Sequence, residues 1–182
     1  MRWFWIDRFV EFESGRRAVA IKNVNMVEDE IDLYTPGFPT LPSSIIIEGL
    51  AQAGGLVVGA HSDFKERVVL AKISNAVFHQ PTLPGDTLIL TAHVQNLNAS
   101  GAMVIGTSHK GNELLAEVDL VFAHLDERFE GVEQFDPLEL LVWLRMLAVF
   151  DVGRNPDGSP LEVPLHMREA EEAAIVADGL QQ

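Results

Sequence analysis

An eighteen-residue segment from Ser43 to Ala60 constrains the fold more than any other part of the sequence. Its residues, SSIIIEGLAQAGGLVVGA, are apolar on nearly every face of a helix and include a single carboxylate, Glu48. A helix of this composition is expected to be buried on all sides rather than to lie on a surface. Its four glycines lower the intrinsic helix propensity, so we expect the surrounding structure to hold the helix in place.

Runs of alternating and β-branched residues flank this helix and are typical of strands. One run, residues 16–24, precedes the helix, and four more follow it at residues 68–78, 86–97, 102–110 and 113–125. Short segments with turn chemistry, NASGA and KGNE, separate the last three runs at hairpin length. One apolar helix with long antiparallel strands predicts an α+β fold in which a curved sheet wraps around the helix.

The last third of the chain differs in charge from the rest. Residues 129–182 carry 11 acidic and 3 basic side chains, which is typical of a solvated acidic segment. We therefore predict a main domain over residues 1–128 and an acidic C-terminal extension over residues 129–182. Within the extension, FDPLELLVWLRMLAVF predicts a helix near residues 136–150, with Asp136 as its N-cap and Pro137 as its first helical residue.

Composition and charge exclude several functional classes. The net charge of −14 argues against nucleic acid and anionic membrane surfaces as partners. The sequence has no uninterrupted run of 18 apolar residues, so we predict no membrane insertion, and the charged start MRWFWIDRF is unlike a signal peptide. The absence of cysteine fits a cytoplasmic protein without disulfides. The six histidines lack metal-ligand spacing, so we expect no metal, and the sequence has neither a G-x-G-x-x-G motif nor a P-loop, so we expect no other cofactor.

The start of the apolar helix is the strongest candidate for a site. Backbone N–H groups at a helix N-terminus are unpaired and can polarise a carbonyl, and the small side chains of Ser43 and Ser44 leave them accessible. Glu48 lies about one turn into the helix, and Gln52, four residues on, shares its face and could orient it. From spacing alone, an equally open interpretation is that Glu48 is a structural acid bonded to the preceding loop.

Several motifs, in order along the chain, carry a family resemblance. They are WIDRF, AIKNV, PGFPTLP, IIEGLAQAGG and FHQPTLPGD, spread over roughly residues 3–125. In combination they resemble the β-hydroxyacyl-acyl-carrier-protein dehydratases (the FabA/FabZ type) of the hot-dog superfamily. The resemblance implies a hot-dog fold, with a long central helix wrapped by a curved antiparallel sheet. It also implies a homodimer or higher homo-oligomer, with a site at the dimer interface for an acyl chain carried on phosphopantetheine.

The resemblance assigns roles to three residues of the helix. Glu48 falls on the family's catalytic acid, which handles the departing hydroxyl group of the β-hydroxyacyl thioester. Gln52 falls on the glutamine that follows this acid. Ser43 falls on a glycine whose backbone N–H polarises the thioester carbonyl, and the N–H group survives the change to serine.

The loop before the helix departs from the family at one position. The family places its catalytic histidine in a G-H-F-P-G segment, which here reads LYTPG, so Tyr34 stands where the histidine is expected and Gly37 is kept. Histidine titrates near pH 6.5 and tyrosine near pH 10, so an ordinary tyrosine is a poor general base at neutral pH. We predict Glu48 and Tyr34 as catalytic residues, and Gly37, Phe38, Ser43, Ser44 and Gln52 as substrate-binding residues.

The resulting prediction is an acyl-thioester dehydratase-like protein of fatty-acid metabolism, a hydro-lyase if it is active. Its expected partners are an acyl carrier protein or a coenzyme A thioester. Two alternatives remain open because of Tyr34. One is a catalytically silent protein that binds an acyl chain or acyl carrier, or that serves as the silent partner of an active subunit. The other is a hot-dog thioesterase in which Glu48 activates a water molecule.

Overall fold

The computed structural model describes residues 4–27, 31, 37–125 and 135–179, and in these ranges seven strands form one sheet. The long helix α1 lies against this sheet and three further helices follow it. The strands are β1 (Arg8–Glu13), β2 (Arg17–Asn23), β3 (Val68–Phe78), β4 (Thr87–Asn98), β5 (Gly101–Lys110), β6 (Glu113–His124) and β7 (Gly153–Arg154). The helices are α1 (Ser43–Gly59), α2 (Pro137–Met146), α3 (Val149–Val152) and α4 (Leu165–Gly179), with a 3₁₀ turn, Ala60–Ser62, after α1.

The sheet order is β3-β6-β5-β4-β2-β1-β7. Strands β4, β5 and β6 form the antiparallel meander that their turn segments predict, and β3 pairs antiparallel with β6. Strand β1 was not predicted from the sequence, and it pairs antiparallel with β2. A long central helix against an antiparallel sheet confirms the predicted α+β hot-dog fold.

Helix α1 packs closely on the sheet because small residues lie at the contacts. The side chain of Leu50 on α1 is fully buried and lies over Gly106 of β5, where an added Cβ would approach it to 3.0 Å. A Cβ added at Gly54 of α1 would likewise lie 3.0 Å from the Phe122 ring. The glycines that weaken the helix in isolation therefore let helix and sheet interlock, and burial of the helix face offsets their low propensity.

The prediction that α1 is buried on all sides is wrong. Residues Ser43, Ser44 and Glu48 are exposed, whereas Leu50, Ala53 and Val57 are fully buried. A single sheet covers one face of a helix and leaves the opposite face open. Sequence periodicity did not reveal this division because the open face also carries small and apolar residues.

The same helix bears on the expectation of no membrane insertion. Residues Ser43–Ser62 are long and apolar enough to cross a membrane, with an 18-residue window of mean hydropathy 1.4, of which 56% is buried within the protein. The central helix of a sheet meets the same criteria, so one such helix is weak evidence for a span. The absence of membrane insertion stays a prediction.

The C-terminal helices share the core of the sheet. Asp136 caps α2 as predicted, because its carboxylate accepts a hydrogen bond of 2.9 Å from the Glu139 N–H. The predicted helix near 136–150 is broken at Ala148, whose φ of 59° is left-handed, and resumes as α3. Strand β7 pairs in parallel with β1, and Leu141 and Leu144 of α2 are fully buried in the common core. The boundary between residues 128 and 129 stays a prediction.

Candidate functional site

The N-terminus of α1 has the open geometry expected of a carbonyl-polarising helix end. Pro42 occupies the N-cap position and makes no side-chain capping hydrogen bond. The Ile45 N–H donates to the Pro42 carbonyl at 2.9 Å, while Ser43 and Ser44 are exposed. Since proline has no side-chain oxygen, Pro42 does not cap the N–H groups of Ser43 and Ser44, and N–H groups at this position can bind a carbonyl or an anion.

The bend that carries the P-x-x-P-G-D motif holds the loop before α1. The Leu41 N–H donates to the Thr82 carbonyl at 2.9 Å, and the Val24 N–H donates to the Asp86 carbonyl at 2.9 Å. Within the bend, the Asp86 carboxylate accepts a 2.9 Å hydrogen bond from the Leu83 N–H. The motif therefore ties β2, the bend and the start of α1 together.

The Asp86 carboxylate also pairs with Lys110 of β5, at 2.6 Å between Oδ1 and Nζ. Burial alone would raise the pKa of Asp86, but the hydrogen bonds from Lys110 and from the Leu83 N–H outweigh burial and leave this pKa below its ordinary value. The same hydrogen bond raises the pKa of Lys110. Asp86 is therefore a charged structural anchor of the bend.

Glu48 belongs to a hydrogen-bonded chain that reaches the N-terminal segment. The Gln52 amide nitrogen donates to Glu48 Oε1 at 3.1 Å, and the Gln52 carbonyl oxygen accepts from the Trp5 N–H at 2.8 Å. The bond from Trp5 fixes which end of the amide faces Glu48, so Gln52 presents a donor to the carboxylate. The predicted pairing of Glu48 with Gln52 is present. The alternative, in which Glu48 bonds to the preceding loop, involves residues outside the described ranges and stays open.

Beside this pair lies a cavity of about 490 Å³ that we call the α1 groove. One stripe of α1, at spacings of three and four residues, forms its floor. Small residues on the stripe leave the space open. The floor residues are Glu48, Ala51, Gln52, Gly55, Leu56 and Gly59.

The walls of the α1 groove come from three parts of the chain. Strands β3 and β6 and the turn after α1 contribute Phe64, Val68, Val69, Leu70 and Phe122. The N-terminal segment contributes Phe4, and the C-terminal part contributes Phe135, Leu140 and Trp143. Glu48 and Gln52 are the polar side chains among these described lining residues, so the groove is apolar with one polar region.

The structure brings together some of the predicted site residues and leaves others apart. Glu48 and Gln52 lie at the groove, and Ser43, the first residue of α1, lies about one and a half turns before Glu48. Gly37 and Phe38 are exposed and do not line the groove. Tyr34 lies outside the described residues. The role of each residue stays a prediction.

Sequence reasoning missed the residues that wall the groove near Glu48. Phe4 lies in the N-terminal segment, and Trp143 lies in the predicted C-terminal helix, far from Glu48 in the sequence. Their shared position could be known only from the tertiary structure. The signal available in the sequence was the presence of large aromatic side chains at both chain ends, since such residues bury large areas.

Comparison with protein families and curated proteins finds clear relatives. The model of the FabA-like domain family matches residues 3–118. The chain is 41% identical over 122 residues to a 3-hydroxyacyl-[acyl-carrier-protein] dehydratase FabZ from Symbiobacterium thermophilum, covering 66% of this chain and 86% of that protein. It is 35% identical over 119 residues to a FabZ dehydratase from Pelotomaculum thermopropionicum, covering 65% of this chain and 85% of that protein.

Solved structures support the fold. An acetyl-CoA-bound protein from Streptococcus mutans superimposes with a TM-score of 0.57 at 17% identity, covering 69% of this chain and 93% of that one. An uncharacterized protein from Pyrococcus horikoshii gives a TM-score of 0.55 at 18% identity, covering 68% of this chain and 86% of that one. Since the family match spans the motifs, strands β1 to β5 and the helix that carries Glu48, the chain belongs to the FabA-like domain family.

Proposed function

We propose that the protein is a dehydratase-type hydro-lyase that acts on 3-hydroxyacyl thioesters in fatty-acid metabolism. The observation that carries this proposal is Glu48, oriented by Gln52 beside an apolar groove, about one and a half turns after the N-terminus of a helix whose N-cap residue makes no side-chain capping hydrogen bond. In the reaction a proton leaves the α-carbon and the hydroxyl group leaves the β-carbon. A carbon–carbon double bond forms and water is released, and hydration of an enoyl thioester is the reverse.

The proposed roles are those that the resemblance to the dehydratase family implies for these positions. The Ser43 N–H at the helix end polarises the thioester carbonyl, which acidifies the α-carbon. Glu48 serves as the acid and base, and it transfers the proton to the departing hydroxyl. Tyr34, in the place of the family's histidine, donates a hydrogen bond to a substrate oxygen. Ser44, Gly37 and Phe38 contact the substrate near the loop.

A homodimer completes the site in this proposal. Strand β3 lies at the edge of the sheet, and most of its residues are exposed. Leu70, Ile73 and Val77 on this strand are exposed hydrophobic residues. A long edge strand with apolar side chains favours pairing with another strand. In the proposed dimer, the loop of one subunit meets Glu48 of the partner subunit, as the family resemblance implies.

The substrate carrier is proposed to be an acyl carrier protein, with coenzyme A thioesters as the alternative carrier. The relatives that are 41% and 35% identical are named as dehydratases of acyl-carrier-protein substrates, which supports this choice. The reaction is proposed to take place in the cytoplasm.

The test is hydration of a crotonoyl thioester, followed by the loss of absorbance of the conjugated double bond. We expect the wild-type protein to hydrate crotonoyl-acyl carrier protein. Glu48→Ala should lower kcat by about 10²–10⁴-fold, the usual contribution of a general acid or base. Glu117→Ala is the matched control, because Glu117 is an exposed carboxylate of β6 outside the α1 groove.

Tyr34→His separates the remaining functions. An inactive wild-type protein that gains hydration activity in Tyr34→His would show a catalytically silent acyl-binding subunit. Hydrolysis of the thioester that depends on Glu48, with no hydration, would show a thioesterase. The absence of turnover and of acyl-thioester binding in both proteins would contradict the acyl-thioester assignment.

A further inference from the structure

The wall of the α1 groove near Glu48 comes partly from residues beyond the family match. Phe135, Leu140 and Trp143 line the groove, whereas the FabA-like match ends at residue 118. Leu140 is 7% exposed and belongs to the same hydrophobic core as α1. Helix α2 is therefore packed into the domain, and its inner face borders the candidate site.

An aromatic cluster connects α2 to the polar end of the groove. The Trp143 ring lies 5.1 Å from the Phe4 ring, at an interplanar angle of 72°, and 5.7 Å from the Phe135 ring, at 79°. These are edge-to-face arrangements, which aromatic pairs prefer. Phe4 precedes Trp5, whose N–H bonds to Gln52. The position of Trp143 is thus coupled through two residues to the side chain that orients Glu48.

We propose that α2 is a specificity element, in which Leu140 and Trp143 cover an acyl chain that runs along α1 from Glu48 toward Gly59. This inference rests on the proposed function, because it takes the thioester to lie at Glu48. The C-terminal part of the chain then has a defined task. It supplies contacts to the alkyl chain that a domain ending at residue 118 would lack.

The chemistry of the groove favours an alkyl chain as the occupant. Its polar side chains, among the described lining residues, are Glu48 and Gln52, and the rest of the lining is aliphatic, aromatic or glycine. A volume of about 490 Å³ lies within the range of small-molecule sites, roughly 300–1,000 Å³. From Glu48 to Gly59 the helix rises by about 16 Å, so the floor is elongated. A chain with one polar end and a long apolar body matches this shape.

Two substitutions test the inference from opposite directions. Gly55→Leu fills the groove about 10 Å along the helix from Glu48. A Cβ at Gly55 would meet only the Phe122 ring, at an ordinary 3.5 Å, so the backbone accommodates a side chain there. Trp143→Ala removes the cover from the groove. Val142→Ala is the matched control, since Val142 neighbours Trp143 on α2, is exposed and does not line the groove.

The measurement is the dissociation constant of saturated S-acyl pantetheines with four, eight and twelve carbons, by titration calorimetry on the full-length protein. In the wild type we expect each added methylene to tighten binding by up to about fourfold until the groove is filled. Gly55→Leu should keep the four-carbon affinity and weaken the twelve-carbon affinity by at least tenfold. Trp143→Ala should reduce the gain per methylene, and Val142→Ala should match the wild type.

Because binding is measured without turnover, failure of this inference and failure of the proposed function are distinguishable. Affinity that rises with chain length in a protein without hydration activity would refute the proposed reaction and support the groove. An affinity independent of chain length in the wild type would overturn the inference. The inference would also be overturned if Gly55→Leu and Trp143→Ala both showed the same dependence of affinity on chain length as Val142→Ala. Dissociation of a wild-type dimer by Gly55→Leu, seen by light scattering, would also overturn it, because the groove would then hold a second copy of the chain.

Discussion

Replacing Asp86 by asparagine tests how the bend between β3 and β4 is held. The Asp86 side chain is 9% exposed and accepts hydrogen bonds from Lys110 Nζ at 2.6 Å and from the Leu83 N–H at 2.9 Å. Asparagine has nearly the same shape but replaces one acceptor oxygen by a donor nitrogen and removes the charge. Its one oxygen can keep the bond from Leu83, so the bond from Lys110 is the one lost.

The size of the effect follows from the exposure of the two partners. A hydrogen bond to a charged group contributes about 1.5–3 kcal/mol when it is shielded from water. The Lys110 side chain is 48% exposed, so solvent screening reduces this value. We expect Asp86→Asn to lower the free energy of unfolding by about 1–2 kcal/mol, which corresponds to a Tm decrease of about 2–8 °C for a chain of this size.

The pH dependence gives a second, independent signature of the same pair. The folded-state pKa of Asp86 lies below its unfolded value of about 3.9, so its stabilisation is present above that pH and is lost as the pH falls through the folded pKa. The pKa of Lys110 is raised, so its stabilisation is present below about pH 10.4 and is lost as the pH rises through the folded pKa. The difference in free energy of unfolding between wild type and Asp86→Asn should be constant from about pH 5 to 9. It should become smaller below and above this range.

The assay is urea unfolding from below pH 5 to above pH 9. It is combined with a double-mutant cycle that adds Lys110→Met. The effects of the two substitutions should be non-additive, because each removes the same bond. Equal unfolding midpoints for wild type and Asp86→Asn at neutral pH would refute the reasoning. Strictly additive effects in the cycle would do the same.

Two further substitutions test the site and the sheet. Gln52→Met removes the acceptor of the Trp5 N–H, so we expect a loss of about 1–3 kcal/mol in unfolding free energy and a lower kcat with little change in KM. An unchanged kcat would show that Gln52 does not orient the catalytic acid. Gly101→Ala should destabilise the protein by about 2–5 kcal/mol, because its Cβ would lie 2.1 Å from the Phe122 carbonyl oxygen at a φ of 154°. Gly111→Ala is the control, since Gly111 also has a positive φ, of 56°, but has open space around it. Thermal melts should show a smaller decrease in Tm for Gly111→Ala than for Gly101→Ala.

The regular elements were predicted well because their signals are local. The run at residues 68–78 became β3 with the same bounds, and the cap at Asp136 formed as its sequence indicates. Strand β1 was missed because it is defined by its pairing with β2 and with the short strand β7, and β7 lies far away in the sequence. The break at Ala148 was missed because alanine rarely adopts a left-handed φ, and the packing of the flanking residues imposes it.

The candidate site shows the same division between local and tertiary information. Spacing alone put Gln52 on the face of Glu48, and the hydrogen bond between them is present. The exposure of Glu48 was predicted wrongly, because the sequence of α1 does not state which of its faces the sheet covers. The wall near Glu48 was not predicted at all, since Trp143 approaches it from a helix almost one hundred residues away.

The sequence by itself determined the helix, the meander and the family, because periodicity, turn chemistry and ordered motifs are read within short windows of the chain. The tertiary structure decided which stripe of α1 remains open, what ties the bend to the loop before the helix, and that the C-terminal helix borders the site. These are contacts between residues far apart in the chain. Their free energy depends on how the layers pack, and no local pattern of residues records that packing.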